Sequence, residues 1–192
     1  FYNYANIETA RDFTLKSHRL RLGGAFGWTY KTAITKAYNY GNINITSTAT
    51  DVSNQFYIGG CVGRNDAGYT DIAFAIVENY GNITIDATPS AGAARAIGGV
   101  YATAEYAATF SQLVNKGDIT LTAKVTDGAT SSVGIGGLIG LPTKAITIDQ
   151  SEVDCTISTA HTNAGMAVGL PYGGLATVTN SKIDGALLRS DK

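Results

Sequence analysis

Apolar and polar residues alternate in a short stretch that returns along the chain: "INITST" from Ile43, "ITIDAT" from Ile83, "ITLTAK" from Ile119 and "CTISTA" from Cys155. A period of two places Ile43, Ile83, Ile119 and Cys155 in one buried column and Ile45, Ile85, Leu121 and Ile157 in the next. Asn44, Thr84, Thr120 and Thr156 then face water. Two further strand-like stretches accompany each copy. One is built on Gly-Gly: "LGGAFG" (Leu22–Gly27), "IGGCVG" (Ile58–Gly63), "IGGVYA" (Ile97–Ala102) and "IGGLIG" (Ile135–Gly140). The other is an apolar run: "TAITKAY" (Thr32–Tyr38), "DIAFAIV" (Asp71–Val77), "ATFSQLV" (Ala108–Val114) and "KAITIDQ" (Lys144–Gln150).

The apolar run and the alternating stretch meet at a repeated corner, "NYANI" from Asn3, "NYGNI" from Asn39 and Asn79, "NKGDI" from Asn115, "SEVDC" from Ser151 and a degraded "SKIDG" from Ser181. Successive starts lie 36, 40, 36, 36 and 30 residues apart. Two independent markers in constant phase make a tandem array. A helical array would need a 3.6-residue apolar period and few glycines, whereas this chain has 23 glycines. The pattern predicts an all-β fold: a parallel β-solenoid (β-helix) of about five turns with three short strands per turn, right-handed by the crossover rule. One solenoid domain is expected over residues 1–192. The first residue is Phe1 and already lies inside a repeat, so the chain reads as a segment of a longer protein, with flanking domains of the same chain as neighbours.

Stacked turns superpose equivalent residues. Asn3, Asn39, Asn79 and Asn115 are expected to form one hydrogen-bonded ladder, and Asn6, Asn42, Asn82, Asp118 and Asp154 a second. Asn and Gly at the corner suit a left-handed backbone. A calcium site in the Asn/Asp column would need several converging carboxylates, and each turn offers at most one. In the Gly-Gly stretch Leu22, Ile58, Ile97 and Ile135 are read as inward. The opposite side (Ala25, Cys61, Val100, Leu138) is plain and apolar. It is either covered by a flanking domain or another copy, or the two faces are inverted.

Charge is sparse, at 15% of residues with a net charge of −1, which argues against nucleic acid as a partner. No apolar run reaches the length of a membrane span, so direct membrane insertion is not expected. The two cysteines, Cys61 and Cys155, sit at different phases of the repeat, so a disulfide is not the default reading. With His18 and His161 as the only histidines, no zinc-ligand spacing and no Ser/His or Cys/His constellation appears. No metal, cofactor or catalytic residue is assigned.

The remaining chemistry lies outside the corner. Tyr4, Tyr40 and Tyr80 share a column, followed by Lys116, Glu152 and Lys182, and three stacked tyrosines make an aromatic strip suited to a sugar or a protein partner. Asp149, Glu152 and Asp154 are the acids nearest one another and the candidate for a carbohydrate-active site; the others, Asp66 and Glu105 among them, read as scattered. The Thr column has the look of an ice-binding array, but Asn44, Asp86 and Ser158 interrupt it. Asn44-Ile-Thr46 and Asn82-Ile-Thr84 match the glycosylation sequon.

At "IGGCVGR…VENYGNITI" and "IGGLIGL…SEVDCTI" the chain resembles the GLUG-type repeats of bacterial cell-surface proteins. That resemblance spans nearly the whole chain and implies a β-solenoid without a catalytic residue. Tyr38, Glu78 and Val114 stand where the family carries Cys, and "NYANI" lacks the corner Gly. The resemblance implies a secreted or cell-surface location in a host-associated bacterium, with a lipid anchor upstream of Phe1, and a non-enzymatic role in adhesion or ligand presentation. The partner would be a glycan or a host or cell-surface protein. A small carbohydrate-active β-helix enzyme and a pure structural spacer are the alternatives.

Overall fold

The computed structural model describes residues 1–9, 19–47, 55–66, 74–87, 94–122, 133–161 and 163–189. Among them the regular structure is all β, with no helix. Its strands pair in parallel, each with its equivalent in the neighbouring repeat, to make a solenoid. They form a twelve-stranded, a five-stranded and a four-stranded sheet. The twelve-stranded sheet carries both sides of the Asn corner, for example Phe74–Asn79 and Ile83–Ala87.

The Gly-Gly stretch is not one strand. It is a corner that joins the five-stranded sheet (Gln55–Gly59) to the four-stranded one (Val62–Asp66). The bend explains why both Ile58 and Cys61 are buried, as are Ile97 with Val100 and Ile135 with Leu138. The plain apolar side expected on the surface is therefore interior: Cys61, Val100 and Leu138 join the main core beside Ile58, Ile97 and Ile135. A strand alternates its faces, but a chain that turns a corner presents both flanks of the bend to the inside.

The two repeated motifs meet. A Cβ on Gly60 would lie 2.3 Å from Cγ of Asn79 and 2.0 Å from the carbonyl oxygen of Gly99. One on Gly99 would lie 2.3 Å from Cγ of Asn115. The second glycine of the pair, at Gly24, Gly60 and Gly99, is thus the floor on which the Asn side chain lies, so the two markers must hold phase; at Gly137 the side chain there is Val153. The glycine of Asn-x-Gly has a different reason to be there. A Cβ at Gly81 would come 2.0 Å from the Gly41 carbonyl oxygen, and one at Gly117 the same distance from that of Gly81. Ala5 takes this place on the first described rung and is exposed.

The corner glycines do not use the left-handed backbone expected of them; Gly185 is the one glycine with positive φ among the described residues. Left-handed residues occur instead before the Asn corner, at Ile76 (φ 55°), Gln112 (φ 55°), Gln150 (φ 49°) and Asn180 (φ 48°). Ile76 and Gln112 sit at the same place on successive rungs, Ser111 pairing with Ala75 and Leu113 with Val77 and leaving Gln112 and Ile76 out of the ladder without a change of register, while Gln150 and Asn180 directly follow the strands Ile146–Asp149 and Ala176–Thr179.

One column differs from the expectation at its upper end. Ile43, Ile83 and Ile119 stack in register, but the next residue is Ile157, not Cys155. Likewise Asn115 is followed by Val153 and not by Ser151. The strand Glu152–Thr159 runs straight through the place where earlier turns break. Its register is set by burial of Val153, Cys155, Ile157 and Thr159, a stronger constraint than the likeness of Ser-x-x-Asp to Asn-x-Gly-Asp. Both cysteines are free and buried.

Candidate functional site

Two ladders run along the Asn corner. In the first, Asn3 Nδ2 donates to Asn39 Oδ1, Asn39 Nδ2 to Asn79 Oδ1 and Asn79 Nδ2 to Asn115 Oδ1, each at 2.8 Å. Each Nδ2 also donates to a carbonyl two residues on, Ala5, Gly41, Gly81 or Gly117. Asn39, Asn79 and Asn115 are fully buried. The second ladder is of another kind, side chain to backbone. Asn6 Oδ1 accepts from the Asn42 N–H, Asn42 Oδ1 from Asn82 and Asn82 Oδ1 from Asp118, each at 2.9 Å. It ends with Asp118 Oδ1 accepting from the Thr156 N–H at 2.7 Å. Asp154 is not in this ladder: the two-residue register difference puts Thr156 there and leaves Asp154 exposed, opposite Asp184. The Oδ1 of each of Asn6, Asn42, Asn82 and Asp118 is thus committed to a backbone amide.

Tyr4, Tyr40 and Tyr80 stand outside the same corner. Their ring centroids are 4.9 and 5.0 Å apart and their planes differ by 5° and 4°. Tyr2 and Tyr38 make a parallel second stack at 4.7 Å. The column continues to Lys116, whose N–H donates to the Asn79 carbonyl as that of Tyr80 does to Asn39. Glu152 and Lys182 belong to the neighbouring column, which contains Tyr38, Glu78 and Val114. Glu152 is held there by Lys116 at 3.4 Å and Lys182 at 3.9 Å.

Stacking settles what the tyrosine row can offer. Tyr4 is 72% exposed, but Tyr40 and Tyr80 fall to 40% and 37% because each ring covers its neighbour's face. The row therefore presents ring edges and phenol oxygens, about 5 Å apart, and not a flat aromatic surface. Tyr80 Oη donates to Glu78 Oε2 at 2.5 Å, and this bond pushes its phenol well above the usual range. Burial, with Tyr4 and Glu78 nearby, raises Tyr40 as well. These phenols remain neutral donors.

The acids Asp149, Glu152 and Asp154 do not converge. Asp149 accepts from Thr179 Oγ1 at 2.8 Å and Asn180 Nδ2 at 2.9 Å, bonds that hold its carboxyl below the usual range. A carboxyl pair forms elsewhere, at Asp66 and Glu105, which lie in one column on successive turns of the four-stranded sheet. Arg64 reaches both, Nε to Asp66 at 3.1 Å and Nη2 to Glu105 at 2.6 Å. Burial and the contact with Asp66 push Glu105 up to about 7. Asp66 is raised by burial, but bonds from Glu105 and Arg64 outweigh that and hold it below the ordinary range. Two carboxyls in direct hydrogen-bond contact stand closer than the ~5 Å that glycoside hydrolysis needs between them. The signal for this pair was available: Asp66 lies eight residues after Ile58, and Glu105 eight after Ile97.

Trp28 Nε1 donates to Asp66 Oδ2 at 3.1 Å, and the Arg21 guanidinium lies 4.8 Å from the Trp28 ring centre. His18 lies outside the described residues. No family model matches the chain, and no curated protein and no solved structure matches it either.

Proposed function

We propose that this chain is a non-enzymatic repeat module of a cell-surface or secreted bacterial protein of the GLUG type, a right-handed solenoid of about five turns that presents side chains on stacked rungs for adhesion. Its ligand is a glycan or a host or cell-surface protein. The repeated residues support a scaffold: Asn lies on Gly, Gly on Gly, and amide oxygens accept from the next rung. The observation that carries the reading is the exposed row Tyr4–Tyr40–Tyr80, parallel to within 5° and spaced at the rung interval. Such a row offers hydrogen bonds at a fixed repeat to an extended polymer.

The test is a glycan array probed with the parent and with a Tyr40→Ala/Tyr80→Ala variant. Retention of a defined glycan by the parent and its loss by the variant is the expected result. Equal retention by both removes the tyrosine row from the reading. If neither binds any glycan or cell-surface protein, the chain is a spacer.

A further inference from the structure

The outer faces of the five-stranded and four-stranded sheets fold toward each other beside the Gly-Gly corner and form a tapering notch. One wall is the column Arg21, Tyr57, Ala96, Gly134. The other is Trp28, Arg64, Thr103, Leu141. At the narrow end the walls touch: Tyr57, Ala96, Ala102 and Leu141 form a separate buried cluster, capped by Leu170. A Cβ at Gly134 would come 2.2 Å from the Gly140 carbonyl oxygen. At the wide end the facing residues are large, Arg21 lying 4.8 Å from the Trp28 ring centre and Arg64 5.9 Å from that of Tyr57, and this end is open to water in that Trp28 stays exposed.

Two properties meet at that open end. First, it holds an aromatic pair with accessible rings. Trp28 is 54% exposed and Tyr30 56%, with ring centres 6.2 Å apart and planes inclined at 47°. The indole bond to Asp66 and the Arg21 contact fix the Trp28 ring before any ligand arrives. Second, it carries uncompensated positive charge. Arg64 is ion-paired with Asp66 and Glu105. Arg19 and Arg21 have no carboxylate at ion-pair distance among the described residues. Arg21 Nε is buried without a hydrogen-bond partner. Burial and the like charges of Arg64 and Arg19 lower the affinity of Arg21 for its proton, which an anion would relieve.

We propose that the open end of this notch binds a carboxylate-bearing sugar residue of an acidic polysaccharide, its ring against Trp28 and Tyr30 and its carboxylate on Arg21 and Arg19. A rigid indole supplies the stacking face that the tyrosine row lacks, and a guanidinium fork matches a carboxylate in two bonds. This rests on the glycan-binding reading above and adds a second contact on a different face.

Isothermal titration of the full chain with tetragalacturonate, with neutral maltotetraose and with dextran sulfate tests it. The acidic oligosaccharide should bind and maltotetraose should not. Trp28→Ala and Arg21→Gln should each weaken tetragalacturonate binding ~10-fold or more. Trp28→Ala alters an exposed side chain, and its thermal melt reports whether the fold is kept; Arg21→Gln supplies an independent reading. Equal binding of maltotetraose overturns the proposal. So does tighter binding of dextran sulfate that is indifferent to Trp28→Ala, which would mean charge alone. Loss in the tyrosine variant but not in Trp28→Ala also overturns it, and leaves the glycan reading standing. No binding of any of the three sugars overturns this proposal, while the array decides the other.

Discussion

Replacing Asn79 with Ala measures how much of the stability resides in the asparagine ladder. The side chain is fully buried. It donates to Gly81 O and to Asn115 Oδ1 and accepts from Asn39 Nδ2, all at 2.8 Å. Three neutral hydrogen bonds at ~1 kcal/mol net each amount to ~3 kcal/mol. Truncation also leaves one Asn39 amide hydrogen unpaired in the interior, which adds ~1 kcal/mol or more. The expected loss is therefore ~4 kcal/mol. Asn3→Ala serves as the internal standard. It touches the same ladder on the first described rung, where its bonds to Ala5 and Asn39 compete with water, so the loss there should stay under ~1 kcal/mol. Urea unfolding followed by circular dichroism gives both values. An Asn39→Ala/Asn79→Ala cycle should show coupling of ~1 kcal/mol or more, since the two side chains share a bond. An Asn79→Ala loss no larger than that of Asn3→Ala, with no coupling to Asn39, would refute the reasoning: the amides would be space-fillers on the Gly-Gly floor.

Gly81→Ala should cost ~3 kcal/mol or more in the same assay, because its Cβ meets the Gly41 carbonyl oxygen at 2.0 Å, whereas Ala5→Gly should change stability by less than ~1 kcal/mol. Gln112→Gly should raise the melting temperature, gaining ~1 kcal/mol by removing a side chain from an exposed position at φ 55°. Glu105 is raised from 4.5 to about 7 in the folded chain, so the folded state holds the extra proton between those values. Stability should fall as pH rises through that window, by ~2 kcal/mol once the full ~3.4 kcal/mol is reduced for the screening of a half-exposed carboxyl, and level off above it, and Glu105→Gln should flatten the profile; a profile that is equally steep in Glu105→Gln would assign the slope to another group.

Residues that must match their own copies on the next rung were the legible ones. Asn39 can bond Asn79 only if both are amides, so the ladder appears in the sequence as identity at a fixed interval. Where the constraint is burial alone, identity is relaxed, and Ser151–Asp154 imitated the corner while Val153, Cys155 and Ile157 held the true register. The Gly-Gly stretch read as a strand because Ile58 and Cys61 straddle a bend, and a bend breaks the rule of alternation without changing composition. Asp66 and Glu105 looked unrelated because their neighbours share no motif; only the interval from the Gly-Gly marker joins them. The tyrosine column could be placed from sequence, but which part of each ring meets water depended on the tilt of the stack. Trp28 gave no repeated signal at all.

Because each asparagine rests on the glycine floor and clasps its counterpart in the next repeat, change in chain length is pushed away from the corner. Paired residues lie 40 apart at Ile45 and Ile85, 39 at Ile58 and Ile97, and 36 at Phe74 and Phe110, so the gains and losses fall between these strands. A whole repeat is then the natural unit of exchange: one copy can be duplicated, removed or grafted from a sibling gene if both cut ends fall at the same phase.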